Sequence, residues 1–173
     1  MSMPTRRTFI LTGLAGSAVL VGAYWLRGPI ARPGTAAARA AETATILRAM
    51  IPVLLDGALP ASPAQHEAAL QTTVANVQAA IAGLPPAAQR ELGELFTFLG
   101  WAPTRVAFAG LTRGWEHASR EEVTAVLERW RTSRIDMRRT AYDALHQLVL
   151  GAWYATPDSW VRIGYPGPPE LPA

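Results

Sequence analysis

The chain contains no cysteine and no lysine. Without cysteine there is neither a disulfide framework nor a thiolate metal site. Without lysine there is no Schiff-base chemistry, and all sixteen cationic side chains are arginines. Charge is sparse at 17% of residues, against 50% apolar, which suits a folded domain rather than a disordered chain. At 173 residues there is length for one domain with a real core.

The positive charge is unevenly placed. Residues 1–40 hold Arg6, Arg7, Arg27, Arg32 and Arg39 and no acid, whereas the rest sets eleven arginines against thirteen acids. The body is therefore slightly acidic, at −2, which argues against a nucleic-acid partner. The excess belongs to the N-terminal segment. There Thr5, Arg6, Arg7, Thr8, Phe9, Ile10 and Leu11 follow the twin-arginine export pattern: a hydroxyl residue, paired arginines, a polar residue, Phe, then aliphatics. From Phe9 to Leu26 the chain runs eighteen residues without a charge, diluted by Gly13, Gly16 and Gly22.

Two fates for this segment stay open. Ala38-Arg39-Ala40 has the A-x-A form of a cleavage site, although it lies well beyond the apolar run; cutting there starts the mature protein at Ala41. Left uncut, residues 9–26 would make a helix of about 27 Å, enough to contact or span the inner membrane, with Tyr24 and Trp25 at its edge. In either case the folded part faces the periplasm.

After a Pro-, Gly- and Ala-rich linker at 27–41, helical spacing recurs and no strand alternation is convincing. Ile46, Leu47, Met50, Val53 and Leu54 form a stripe over 45–55, which Pro52 should kink or end. Leu70, Val74, Val77 and Ile81 share a face over 64–82. Pro85-Pro86 opens a helix burying Leu92, Leu95, Phe96 and Leu99. Thr104 is expected to cap a short helix through Phe108 and Leu111. Ser119 and Glu122 form a capping box ahead of Val123, Val126, Leu127 and Trp130. A last helix over 135–155 buries Tyr142, Leu145, Val149 and Trp153, with Arg139 and Asp143 paired on its wet face. The expected architecture is all-α: an export segment and linker at 1–40, a small helical bundle at 41–155, and a Pro- and aromatic-rich extended tail at 156–173.

Chemistry-bearing motifs are scarce. His66, His117 and His146 fall on separate elements, the first two as surface residues and the third at the edge of a core stripe. No H-x-x-x-H or E-x-x-H pair, calcium loop, phosphate loop or C-x-x-C-H haem site is present. No catalytic, cofactor-binding or metal residue can be named. Two other features stand out. Arg129, Arg131, Arg134, Arg138 and Arg139 crowd one turn, as a solvated charged loop or as a dock for acidic groups. The stretch from Trp153 and Tyr154 through Trp160, Ile163 and Tyr165 is rich in aromatics and prolines, and packs either on its own bundle or on a partner.

The twin-arginine start, Ile46-Leu47-Arg48-Ala49-Met50-Ile51-Pro52, Ala152-Trp153-Tyr154 before Trp160, and Ile163-Gly164-Tyr165-Pro166-Gly167-Pro168 together resemble the gluconate 2-dehydrogenase subunit 3 (gamma subunit) family. The resemblance implies a non-catalytic small subunit that carries the signal for the Tat translocase. It would escort and stabilise a large FAD-dependent dehydrogenase subunit of the glucose–methanol–choline type, sometimes with a cytochrome c subunit. FAD and haem c would belong to those partners and no cofactor to this chain. The interface would draw on Trp153, Tyr154, Trp160, Ile163, Tyr165, Arg131, Arg134 and Arg138. The rival reading is a stand-alone periplasmic or membrane-anchored helical protein holding a small apolar ligand.

Overall fold

The structure, a computed structural model, describes residues 35–157, 159–160 and 164–166. The chain divides into two compact units, Met1–Ala36 and Ala37–Ala173, and the first falls almost wholly outside the described residues. Six α-helices follow one another: α1 (Ala36–Leu54), α2 (Pro63–Ala82), α3 (Pro86–Gly100), α4 (Ala102–Ala109), α5 (Arg120–Arg131) and α6 (Asp136–Tyr154). A 3₁₀ turn at Trp115–His117 stands before α5, and the described residues contain no strand. The fold is all-α.

The expected stripes form one core, except that in α1 Ile51 joins it from outside the expected stripe while Val53 and Leu54 are only half-buried. Ile46, Leu47, Met50 and Ile51 from α1 meet Val77 from α2, Leu99 from α3, Val126 and Trp130 from α5, and Leu145 and Val149 from α6, all almost fully buried. Each such side chain contributes about 1.5–3 kcal/mol on leaving water. Helix α6 lies against both α2 and α5, and α3 against α2 and α4. The Ser119 box is complete: its Oγ accepts from the Glu122 amide at 3.2 Å, and Glu122 Oε2 accepts from the Ser119 amide at 2.8 Å.

Several expectations are corrected. The linker does not reach residue 41: α1 begins at Ala36, and the boundary between the two units falls after that residue. Ala-Ala-Ala-Arg-Ala-Ala has the strongest intrinsic helix propensity available, and a helix anchored by Ile46 and Met50 extends back through it. The end expected at Pro52 comes two residues past it, Pro52 lying in the last turn of α1, which closes at Leu54. Thr104 is no N-cap; Trp101 takes that position, and the Thr104 hydroxyl instead donates back to Phe98 O of α3. Leu111 is buried but lies past the helix end. Arg139 turns away from Asp143 to pair with Asp136, one turn back, and with Ser133 O at 2.6 Å. Leu92, Leu95, Ile81 and Tyr142 are half-buried, Tyr142 stacking its ring on His146. The tail is not extended throughout, since Pro157, Ser159 and Trp160 are helical.

Candidate functional site

At its C-terminal end α6 splits its aromatics. Trp153 enters the core, whereas Tyr154 is 40% exposed. The chain then folds back on the helix. Thr156 Oγ1 donates to Trp153 O at 2.5 Å, and buried Ser159 donates through Oγ to Thr156 O at 2.7 Å. The Trp160 indole N–H donates to Tyr154 O at 2.7 Å, and the Tyr165 amide to Trp160 O at 3.0 Å. The Trp160 and Tyr165 rings meet edge to face, 5.6 Å apart at 76°, a favoured aromatic arrangement. Trp160 is thus held by its own helix end. Among the four described aromatics named above, Tyr154 and Tyr165 are the exposed ones, Tyr165 at 44%. Ile163 lies outside the described residues, as do Thr5, Arg6, Arg7, Phe9, Ile10 and Leu11.

The arginine turn is more ordered than a solvated loop. Arg129 Nη1 donates to Ala109 O at 3.0 Å and Arg138 Nη2 to Ala107 O at 3.2 Å, both at the C-terminus of α4. Between them the Trp130 indole donates to Phe108 O at 3.1 Å. Arg138 also lies 5.6 Å from the Phe108 ring centroid, a cation–π approach. Its Nε is buried without a hydrogen-bond partner. Arg131 pairs with Glu128 at 2.9 Å, and that hydrogen bond, with the carboxylate's charge, raises its pKa. Arg134 is exposed, and Ile135 and Met137 beside it are 50% and 51% exposed. The turn therefore presents cationic and apolar groups together.

A second helix end is built the same way. Past the C-terminus of α3, Thr104 Oγ1 donates to Phe98 O, the Trp115 indole to Leu99 O at 2.8 Å, and Arg105 Nη1 to Gly100 O at 3.0 Å. These three residues, with Arg129 and Trp130, were invisible as a set in sequence. The available signal was a pair of buried tryptophans, each needing a partner for its indole N–H.

The titratable groups lie apart. His66 Nδ1 is 3.2 Å from Pro60 O, His117 is exposed beside Glu116, and His146 stacks on Tyr142. No group of three or more His, Asp or Glu among the described residues could hold a metal ion. Nor is any described helix long and apolar enough to cross a membrane. Comparison of the chain with protein-family models, with curated proteins and with solved structures found no match. The candidate site is accordingly two surfaces. The arginine turn opens α6 and the tyrosines close it, so its 19 residues separate them by about 27 Å.

Proposed function

We propose that this chain is a non-catalytic small subunit that carries a twin-arginine signal and escorts a large FAD-dependent sugar or alcohol dehydrogenase subunit to the periplasm. The carrying observation is Thr5-Arg6-Arg7-Thr8-Phe9-Ile10-Leu11 ahead of an uncharged run. That pathway moves proteins already folded, so one signal can take a bound partner across. The folded unit supports the reading by what it leaves outside. Exposed Tyr154 and Tyr165 at one end of α6, and Arg134 with Ile135 and Met137 at the other, are the residue types that anchor interfaces. A partner touching both would span the length of α6. FAD, and haem c where a cytochrome subunit joins, reside in the partners.

Arg6→Lys with Arg7→Lys tests the escort role, because lysine only partly imitates paired guanidinium groups. With the large subunit co-expressed, the double variant is expected to leave both chains, and the flavin, in the cytoplasm. Finding the large subunit in the periplasm of that strain removes the escort function.

A further inference from the structure

The A-x-A sequence Ala38-Arg39-Ala40 is part of α1, not of a linker. A peptidase takes its substrate as an extended strand, so residues 38–42 would have to leave the helix before the Ala40–Ala41 bond could be cut. Side-chain contacts hold them there. The Gln78 side chain of α2 donates to Ala40 O, the carbonyl of that same bond, at 2.8 Å. Thr45 Oγ1 donates to Ala41 O at 3.0 Å. The Glu42 side chain lies over Gly100, the last residue of α3, so close that a Cβ added there would come within 1.9 Å of its Oε1. Ala40 is thus linked to α2 and Ala41 to the next turn of α1, while the Glu42 side chain packs over the end of α3.

The order of events makes this matter. A chain threaded unfolded through a membrane meets its peptidase before α1 exists, and the helix would give no protection. A twin-arginine substrate is folded first, so the peptidase meets α1 already packed. We infer that α1 shields the Ala40–Ala41 bond after export, and that the chain keeps residues 1–40, whose uncharged run 9–26 then anchors the folded unit to the lipid bilayer of the inner membrane. This rests on the export reading above.

The full chain with a C-terminal epitope, expressed in a host with an active twin-arginine pathway, tests it. Protease treatment of spheroplasts locates the epitope, intact mass gives the N-terminus, and alkaline extraction separates anchored from released protein. The expected result is an external epitope on a full-length chain that stays in the membrane pellet. An external epitope on a chain beginning at Ala41 overturns the inference and leaves the export reading standing. An internal epitope overturns both. Thr43→Pro sharpens the test. Proline there restarts the helix at its own position and pushes Glu42 into extended backbone, freeing residues 38–42 while sparing Ile46 to Ile51. Most of the exported variant should lose residues 1–40 and become soluble. If it is exported and stays full-length, helical shielding is wrong. Should it fail to fold, Gln78→Ala, which removes only the link to Ala40 O, is expected to raise the cleaved fraction; no rise overturns the inference equally.

Discussion

The C-termini of α3 and α4 face the same difficulty in a buried setting: each helix leaves its last carbonyls without intrahelical donors. The first carbonyl is met by backbone at both ends, Thr97 O by the Trp101 amide and Val106 O by the Gly110 amide. The next three are met by side chains, and in each trio a tryptophan indole takes the middle one and an arginine the last. The remaining carbonyl separates them. Thr104, only six residues on, serves Phe98, whereas Arg138 reaches Ala107 from α6. The end of α3 is therefore closed by residues 104–115, just downstream, and the end of α4 by side chains of α5 and α6. A short helix of eight residues has little stability alone, and α4 is held by what arrives from elsewhere. Arginine suits both ends because its charge also complements the negative pole of the helix dipole.

This parallel can be broken at several places. The largest effects should come from Trp130→Phe and Trp115→Phe, each of which leaves a buried carbonyl without a donor. Each should cost about 1–3 kcal/mol in urea unfolding. Comparable losses support two equivalent clamps; a full loss at one and none at the other would show that a single indole carries the fold. Next, Gly110→Ala should cost about 1–2 kcal/mol. Gly110 sits at φ +73°, and a Cβ there would come 2.7 Å from the Arg129 guanidinium that closes the helix. Gly100→Ala, on ordinary helical backbone, should cost less. There the new Cβ displaces the flexible Glu42 side chain from Cγ outward, and alanine regains about 0.5–1 kcal/mol of helix preference. Equal melting temperatures for the two variants would contradict that contrast.

The smallest effect is one of pH. Neither clamp contains a carboxylate or an imidazole: the donors are indoles, arginines and, at the end of α3, a hydroxyl. The Arg48–Glu67 pair between α1 and α2 behaves otherwise. Hydrogen bonds from Arg48 and then Gln71 lower the Glu67 pKa below its ordinary 4.5. A depressed carboxylate adds stability that is complete above the ordinary value and is lost as pH falls through the lowered one. Acid titration followed by NMR should perturb the α1–α2 contact only as pH falls below the ordinary carboxylate range, with the Trp115 and Trp130 indole protons unmoved. Glu67→Gln should abolish that step.

Local signals were readable where they depend on neighbours in the chain. The Ser119 box needs only Glu122, and the α5 stripe of Val123, Val126, Leu127 and Trp130 needs only helical spacing; both stand as expected. Thr104 suits a cap by sequence, whereas its hydroxyl reaches back across a helix boundary to Phe98 O. The arginine turn offered a solvated loop or a dock. Arg129 and Arg138 proved to serve α4, a choice that no spacing within residues 129–139 encodes. Among the aromatics, Trp153 and Tyr154 are adjacent, yet one is core and the other surface, because consecutive helix positions point about 100° apart.

By itself, then, the order of residues determined the helices, their apolar faces, the capped start of α5 and the arginine-led N-terminal segment, since each depends on contacts within a few positions. Which carbonyls the tryptophans and arginines close, which tyrosines face solvent, and whether Ala38-Arg39-Ala40 is linker or helix depended on elements far apart in the chain. Those were decided by tertiary structure, because a buried polar group takes whichever donor packing brings within hydrogen-bond reach.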